Sequence, residues 1–153
     1  MPPVALTRSK ALSPLTSTKQ ASTFSLVLSA SKFGWLVLIN DGKGNFITQA
    51  LPWQAQLSSY KDAVVIDANN DKLQDILLVG NFYENNIQMG RYDADFGTLL
   101  INKGNNQFAV ESINGLQIKG QVRHIKPIFI NKQNAFVLAR NNDSIMIIKQ
   151  LRK

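Results

Sequence analysis

Cysteine is absent from the 153 residues and histidine occurs once. Disulfides, thiolate metal sites and cysteine nucleophiles are therefore excluded, and no second imidazole is present to share a zinc ion. Long apolar runs are missing too: none approaches the roughly 18 residues of a membrane-spanning helix. Acids are missing from one end and scarce at the other. Residues 1–40 carry Arg8, Lys10, Lys19 and Lys32 with no Asp or Glu, and residues 112–153 carry eight bases against the single acid Asp143. The net charge of +7 thus conceals an acidic centre, since residues 41–111 hold nine of the ten acids and five bases. Basic arms of this kind suit nucleic acid, anionic lipid or an acidic glycan, but more often such charge is simply a solvated surface. With 44% apolar and 18% charged residues the chain is neither disordered nor coiled-coil in composition, and its length fits one domain with a real core. Lack of cysteine leaves the compartment open.

Residues 1–23, rich in Ser, Thr and Pro, read as an irregular lead. FSLVLSA at 24–30 follows basic residues in faint outline of a signal peptide, but its apolar core is at the lower length limit and begins late. From there on, short apolar runs alternate with Gly/Asn/Asp punctuation, which predicts strands at 24–29, 35–40, 45–51, 62–67, 75–80, 97–102, 107–112, 121–129, 135–140 and 144–149. Helical periodicity is weak throughout. Residues 52–60 and 81–96 are the long connections.

The chain resembles itself at a spacing of about sixty residues. WLVLINDGKGNF at 35–46 matches GTLLINKGNNQF at 97–108, setting Leu38 on Leu100, Asn40 on Asn102, Gly42 on Gly104 and Phe46 on Phe108. Each copy is an apolar run, a Gly/Asn turn and a strand opened by Phe, the pattern of a hairpin. DILLVGN at 75–81 likewise matches AFVLARN at 135–141. One full unit covers 61–113 with four strands, a half unit covers 24–51, and three strands follow over 120–150. A repeated four-stranded sheet is the blade of a β-propeller. Propellers close with about four to eight blades, so two and a half blades imply a piece of a longer propeller or pairing with other chains. Two sheets packed as a β-sandwich are the alternative.

Within VVIDANNDKLQDILLVGN the oxygen-bearing side chains fall at alternating positions: Asp67, Asn69, Asp71 and Asp75 at places one, three, five and nine, with the Leu73 carbonyl at seven. Calcium takes six to eight oxygens at about 2.3–2.6 Å, and a tight loop supplies them from every second residue. The flanks read as strands, unlike the helices of an EF-hand. The same residue types build Asx turns with solvated carboxylates, so a plain turn stands beside the metal loop.

These residues resemble the FG-GAP/VCBS repeat, whose loop runs D-x-[DN]-x-D-G-x-x-D-[LI] between the first two strands of a blade; Asp67, Asn69, Asp71, Asp75 and Ile76 match it. GNFYENNIQMGRYDADFGTLLIN resembles the terminal repeats of bacterial proteins related to cartilage acidic protein, which carry an ASPIC/UnbV segment. The resemblance spans 33–150. It implies an all-β partial propeller of about two and a half four-stranded antiparallel blades, with calcium on Asp67, Asn69, Asp71, Leu73 and Asp75. It further implies a non-catalytic, secreted or cell-surface module with a protein or glycan partner, and association with missing blades or with itself. Two departures weaken the metal site. Lys72 replaces the glycine at place six, costing about 1 kcal/mol in a left-handed conformation and adding a cation beside the ligands. The corresponding loop of the next unit, IFINKQNAF, has no carboxylate.

Catalytic patterns are thin. His124 stands alone in a basic strand. Asp93 and Asp95 in RYDADFG form the nearest approach to an acid/base pair, on a calcium-dependent polysaccharide reading, and Glu84 with Asp93 is no stronger. Gly42-Lys43-Gly44 lacks Walker spacing and reads as a hairpin turn. Trp35, in a strand, is expected in the core; Trp53, Phe82 and Tyr83, in connections, are candidates for an exposed aromatic platform, to which Tyr60 and Tyr92 could add. Lys119, Arg123, Lys126 and Arg140 are the residues a nucleic-acid-binding face would use.

Overall fold

The computed structural model describes residues 24–28, 34–84, 90, 94–112, 115 and 117–149, the first of these segments by its backbone alone. The chain divides into two compact units, 1–51 and 52–153. In the first unit, β1 (Phe24–Leu28), β2 (Trp35–Asn40) and β3 (Phe46–Ala50) form an antiparallel sheet in that order. Leu36, Val37 and Ile39 are buried; Trp35, expected in the core, is only half-buried. The β2–β3 turn closes on Asp41, whose Oδ1 accepts the amides of Lys43 and Asn45, with Gly42 and Gly44 at positive φ. Asn40 Oδ1 accepts the Gly42 amide at 2.8 Å.

The second unit opens with a short 3-10 helix, Trp53–Gln56, within the long connection expected over 52–60. β4 (Tyr60–Ile66), β5 (Asp75–Gly80), β6 (Thr98–Asn102) and β7 (Phe108–Glu111) then form a four-stranded antiparallel sheet in chain order. β8 (Val122–Ile130), β9 (Gln133–Arg140) and β10 (Met146–Lys149) form a three-stranded one, order β10-β9-β8. The molecule is thus all-β, with three antiparallel sheets of three, four and three strands and no closed sheet among the described residues. Each predicted strand is present, shifted by at most two residues at either end.

The turns of the two matched segments share their bonds. The β6–β7 turn repeats the Asx contact of the β2–β3 turn, with Asn102 Oδ1 accepting the Gly104 amide at 2.9 Å. Lys103 N bonds Gln107 O as Asp41 N bonds Asn45 O. The first strand of each sheet in the second unit carries an irregularity at matched places, Tyr60/Asp62 and Val122/His124. Gly80 serves the first of these: a Cβ there would lie 2.2 Å from the Ser59 carbonyl oxygen and 2.5 Å from Tyr60 Cα, so only glycine admits the approach.

Burial on both faces of β5 follows from its unbroken apolar run, Ile76 to Val79. One face brings Leu77 and Val79 with Leu99 and Ile101 of β6 against Val122, Ile125, Phe136 and Leu138 of the second sheet, with Ile118 among them. Val64, Ile66, Met146 and Ile148 close the edges of this core. Asp62 ties the sheets at the rim, its Oδ2 accepting the Ile125 amide at 3.0 Å. Between β8 and β9 two residues suffice, Asn131 and Lys132, both at positive φ as a type I′ turn demands. Between β4 and β5 the bend takes residues 67–74, and the oxygen-rich motif lies there.

Candidate functional site

The bend closes on its own amides. Asp67 Oδ2 accepts the Lys72 amide at 3.1 Å, Asn69 Oδ1 the Asp71 amide at 3.1 Å, and Asp71 Oδ1 the Leu73 amide at 2.7 Å. Asn69 Nδ2 donates to the other oxygen of Asp71. Asn70 and Lys72 both take positive φ, 61° and 68°, so the strain expected at Lys72 is present. Three predicted ligands, Asp67, Asn69 and Asp71, are therefore drawn into one tight ring.

Asp75 does something else. It is fully buried, its Oδ2 accepts the Ala68 amide and its Oδ1 accepts the Asn102 amide, each at 2.8 Å. Asn102 Nδ2 completes the junction by donating to the Gln74 carbonyl. Asp75 thus pins the far end of the bend to β6 as a structural clamp. Donor chemistry on Asp67, Asn69, Asp71, Asp75 and the Leu73 carbonyl suits a hard cation, and both oxygens of Asp71 and of Asp75 already accept hydrogen bonds from the protein. Among the described residues no three His, Cys, Asp or Glu side chains gather into a metal-binding group.

Asp93 lies outside the described residues, as does Tyr92. Asp95 is buried at 4% exposure, its Oδ1 accepting the Gly97 amide and the Thr98 hydroxyl, both at 3.0 Å. Burial holds its carboxyl above the ordinary carboxylate value against those two bonds. Tyr60, 2.8 Å from Thr98 Oγ1, is itself buried, which pushes its phenol up to about 12. Neither residue faces solvent, so this Tyr60–Thr98–Asp95 chain reads as a core polar network.

Asn81, which nothing in the sequence singled out, holds that network in place. At 1% exposure its Nδ2 donates to the carbonyls of Asp95 (2.8 Å) and Gly120 (3.2 Å), and its Oδ1 accepts the Asp95 amide (3.0 Å) and the Ser58 hydroxyl (3.3 Å). It joins three segments of the second unit. Its positive φ of 87° suits asparagine better than any other residue with a side chain.

The basic residues are largely engaged with neighbours. Arg123 pairs with Glu84 at 3.1 Å, and Lys126 lies 3.8 Å from Asp62. Arg140 pairs with Asp143 at 2.8 Å and donates to the carbonyls of Ser144 and Lys119, capping the β9–β10 turn. His124, 70% exposed, stands 3.4 Å from Asp62. Of the aromatic candidates among the described residues only Trp53 is well exposed, at 69%; Phe82 and Tyr83 are half-buried, Phe82 beneath the Lys61 ammonium. No aromatic platform forms from them.

The outer wall of the bend lines a groove of about 500 Å³. Val65, Lys72 and Leu73 stand on one side; Pro127, Asn134 and Phe136 of the β8–β9 hairpin stand on the other. Its size falls within the range of small-ligand clefts. No helix among the described residues is long and apolar enough to cross a membrane. Comparisons with protein-family models, with curated proteins and with solved structures find no match to this chain.

Proposed function

We propose that this chain is a non-catalytic β-sheet interaction module of the FG-GAP/VCBS kind, working at the cell surface or outside the cell with a protein or glycan partner. The observation that carries it is the groove of about 500 Å³ walled by the bend on one side and the β8–β9 hairpin on the other. Its lining mixes apolar side chains with the side chains of Lys72, Asn70 and Asn134. That is the mixed lining expected of a recognition cleft. The buried position of Asp95 supports recognition over turnover, since a general acid has to reach its substrate. In this reading Asp67, Asn69, Asp71 and the Leu73 carbonyl would hold a calcium ion, which would stiffen a bend already closed by its amides, while Asp75 keeps its bonds to the Ala68 and Asn102 amides.

Thermal melts and amide spectra in calcium chloride and in chelator test it. Calcium raises the melting temperature and moves the amides of residues 69–73 in the wild type, and does neither in Asp71→Ala. Identical melts and spectra in both solutions leave the bend a plain Asx turn.

A further inference from the structure

The two sheets of the second unit match strand for strand until the last. In the four-stranded sheet, β6 pairs with β5 through Ile76↔Leu100 and Leu77↔Leu99. In the three-stranded sheet, β10 pairs with β9 through Phe136↔Ile148 and Val137↔Ile147. The match of 75–81 to 135–141 sets Ile76 on Phe136 and Leu77 on Val137, so β10 holds the place of β6. The outer edge of β6 carries β7, through Leu99↔Glu111 and Leu100↔Val110. Among the described residues, no strand takes the outer edge of β10.

That edge has little of the protection edge strands usually carry. Ile145 is 66% and Ile147 48% exposed, and Lys149 is the single charge in the strand. On the Ile148 side lies the apolar core. On the Ile147 side, cross-strand pairing sets Lys126, Val137 and Ile147 in one row, with Lys149 in the next. β7 shows what such a strand contributes: Val110 opposite Leu100, on the side matching Ile148, and the acid Glu111 opposite Leu99, on the side matching Ile147.

We propose that the outer edge of β10 docks an extended segment of a partner protein, antiparallel, with alternating apolar and acidic residues. The apolar residues meet Met146 and Ile148 over the core. The acids lie opposite Ile147, within diagonal reach of Lys149 and on the face that carries Lys126. Main-chain bonds to the edge supply affinity, and the alternation supplies specificity. With Arg123, Lys126 and Arg140 set against Glu84, Asp62 and Asp143, the charge carried by the strand itself is that of exposed Lys149, which favours an acidic partner over a basic one. This deepens the interaction-module reading and rests on it, yet uses none of the 67–75 bend, so calcium-dependent melting and strand docking fail separately.

The test titrates the full chain, isotopically labelled, with a synthetic peptide alternating Val and Glu, and with its Val/Lys counterpart. The Val/Glu peptide is expected to shift the amides of Met146–Lys149 and their β9 partners, and to bind more weakly as salt rises. Lys149→Glu, exposed and harmless to folding, should weaken the Val/Glu peptide roughly fivefold and improve the Val/Lys one. Ile147→Asp should weaken it further, with the melt as a check on folding. Equal binding of both peptides, shifts centred on β7, or no shift would overturn the proposal. So would β10 amides already protected from exchange in the free protein, whether by a second copy (revealed by concentration dependence) or by another part of the same chain.

Discussion

The side-chain amide of Asn81 grips the backbone of Asp95 at both ends, Nδ2 donating to the Asp95 carbonyl at 2.8 Å and Oδ1 accepting the Asp95 amide at 3.0 Å. One side chain thereby does for residue 95 what a neighbouring strand does elsewhere. It is why the Asp95 carboxyl is aimed at Gly97 and Thr98 rather than at solvent.

Asn81→Ala should therefore cost about 2–4 kcal/mol in urea denaturation, because buried backbone groups at Asp95 and Gly120 lose their partner. Asn81→Gly separates the causes. Glycine suits the positive φ, so a cost close to that of alanine assigns the loss to the hydrogen bonds.

Asp75→Ala should destabilise by a similar amount, about 2–4 kcal/mol, since the buried Asn102 amide and the partly buried Ala68 amide lose their acceptor. Asp71→Ala, on an exposed turn, should cost about 1 kcal/mol or less in chelator. Both melts are to be read without calcium. If Asp71→Ala matched Asp75→Ala there, the clamp role of Asp75 would be wrong.

Lys72→Gly should stabilise the protein by about 1 kcal/mol, because the left-handed conformation ceases to cost. The Asp67 bond is made to the residue 72 backbone and survives the change. Removing the ammonium also lessens repulsion of a bound cation. Calcium titration of this variant should show tighter binding than the wild type.

Asp95 gives the pH dependence a definite sign. Its native pKa is raised above the ordinary 3.8, so across that window the folded state holds more protons than the unfolded one. The Asp95 contribution to stability is present in full below 3.8 and is lost as pH rises to the native value. Asp95→Asn keeps an oxygen for Gly97 and Thr98, removes the charge, and should flatten that part of the stability curve. Chemical denaturation from acid to neutral pH measures it.

The strand order was legible because each strand is a short apolar run bounded by Gly, Asn or Asp, and those boundaries are set locally. The likeness of the turns after Asn40 and Asn102 was legible for the same reason, since an Asx contact needs only the residue and the glycine two places on. Spacing gives Asp75 only the ninth place of a loop and says nothing of the Ala68 and Asn102 amides it accepts. Its surroundings are settled by Asn102, twenty-seven residues away, whose amide its Oδ1 accepts. Asn81 was invisible because a polar residue closing a strand looks like any turn former. The basic stretch gave charge without neighbours: Glu84 and Asp62 reach Arg123 and Lys126 only through the packing of one sheet on the other.

Two connections of the same kind differ in length within this chain. β8 reaches β9 through Asn131 and Lys132, whereas β4 reaches β5 through residues 67–74. Joining such strands asks for no more than the shorter one. The additional chain is thus more than the joining of the two strands requires, and a variant with Asn-Gly in place of 67–74 offers a direct way to ask what else the longer arc is for.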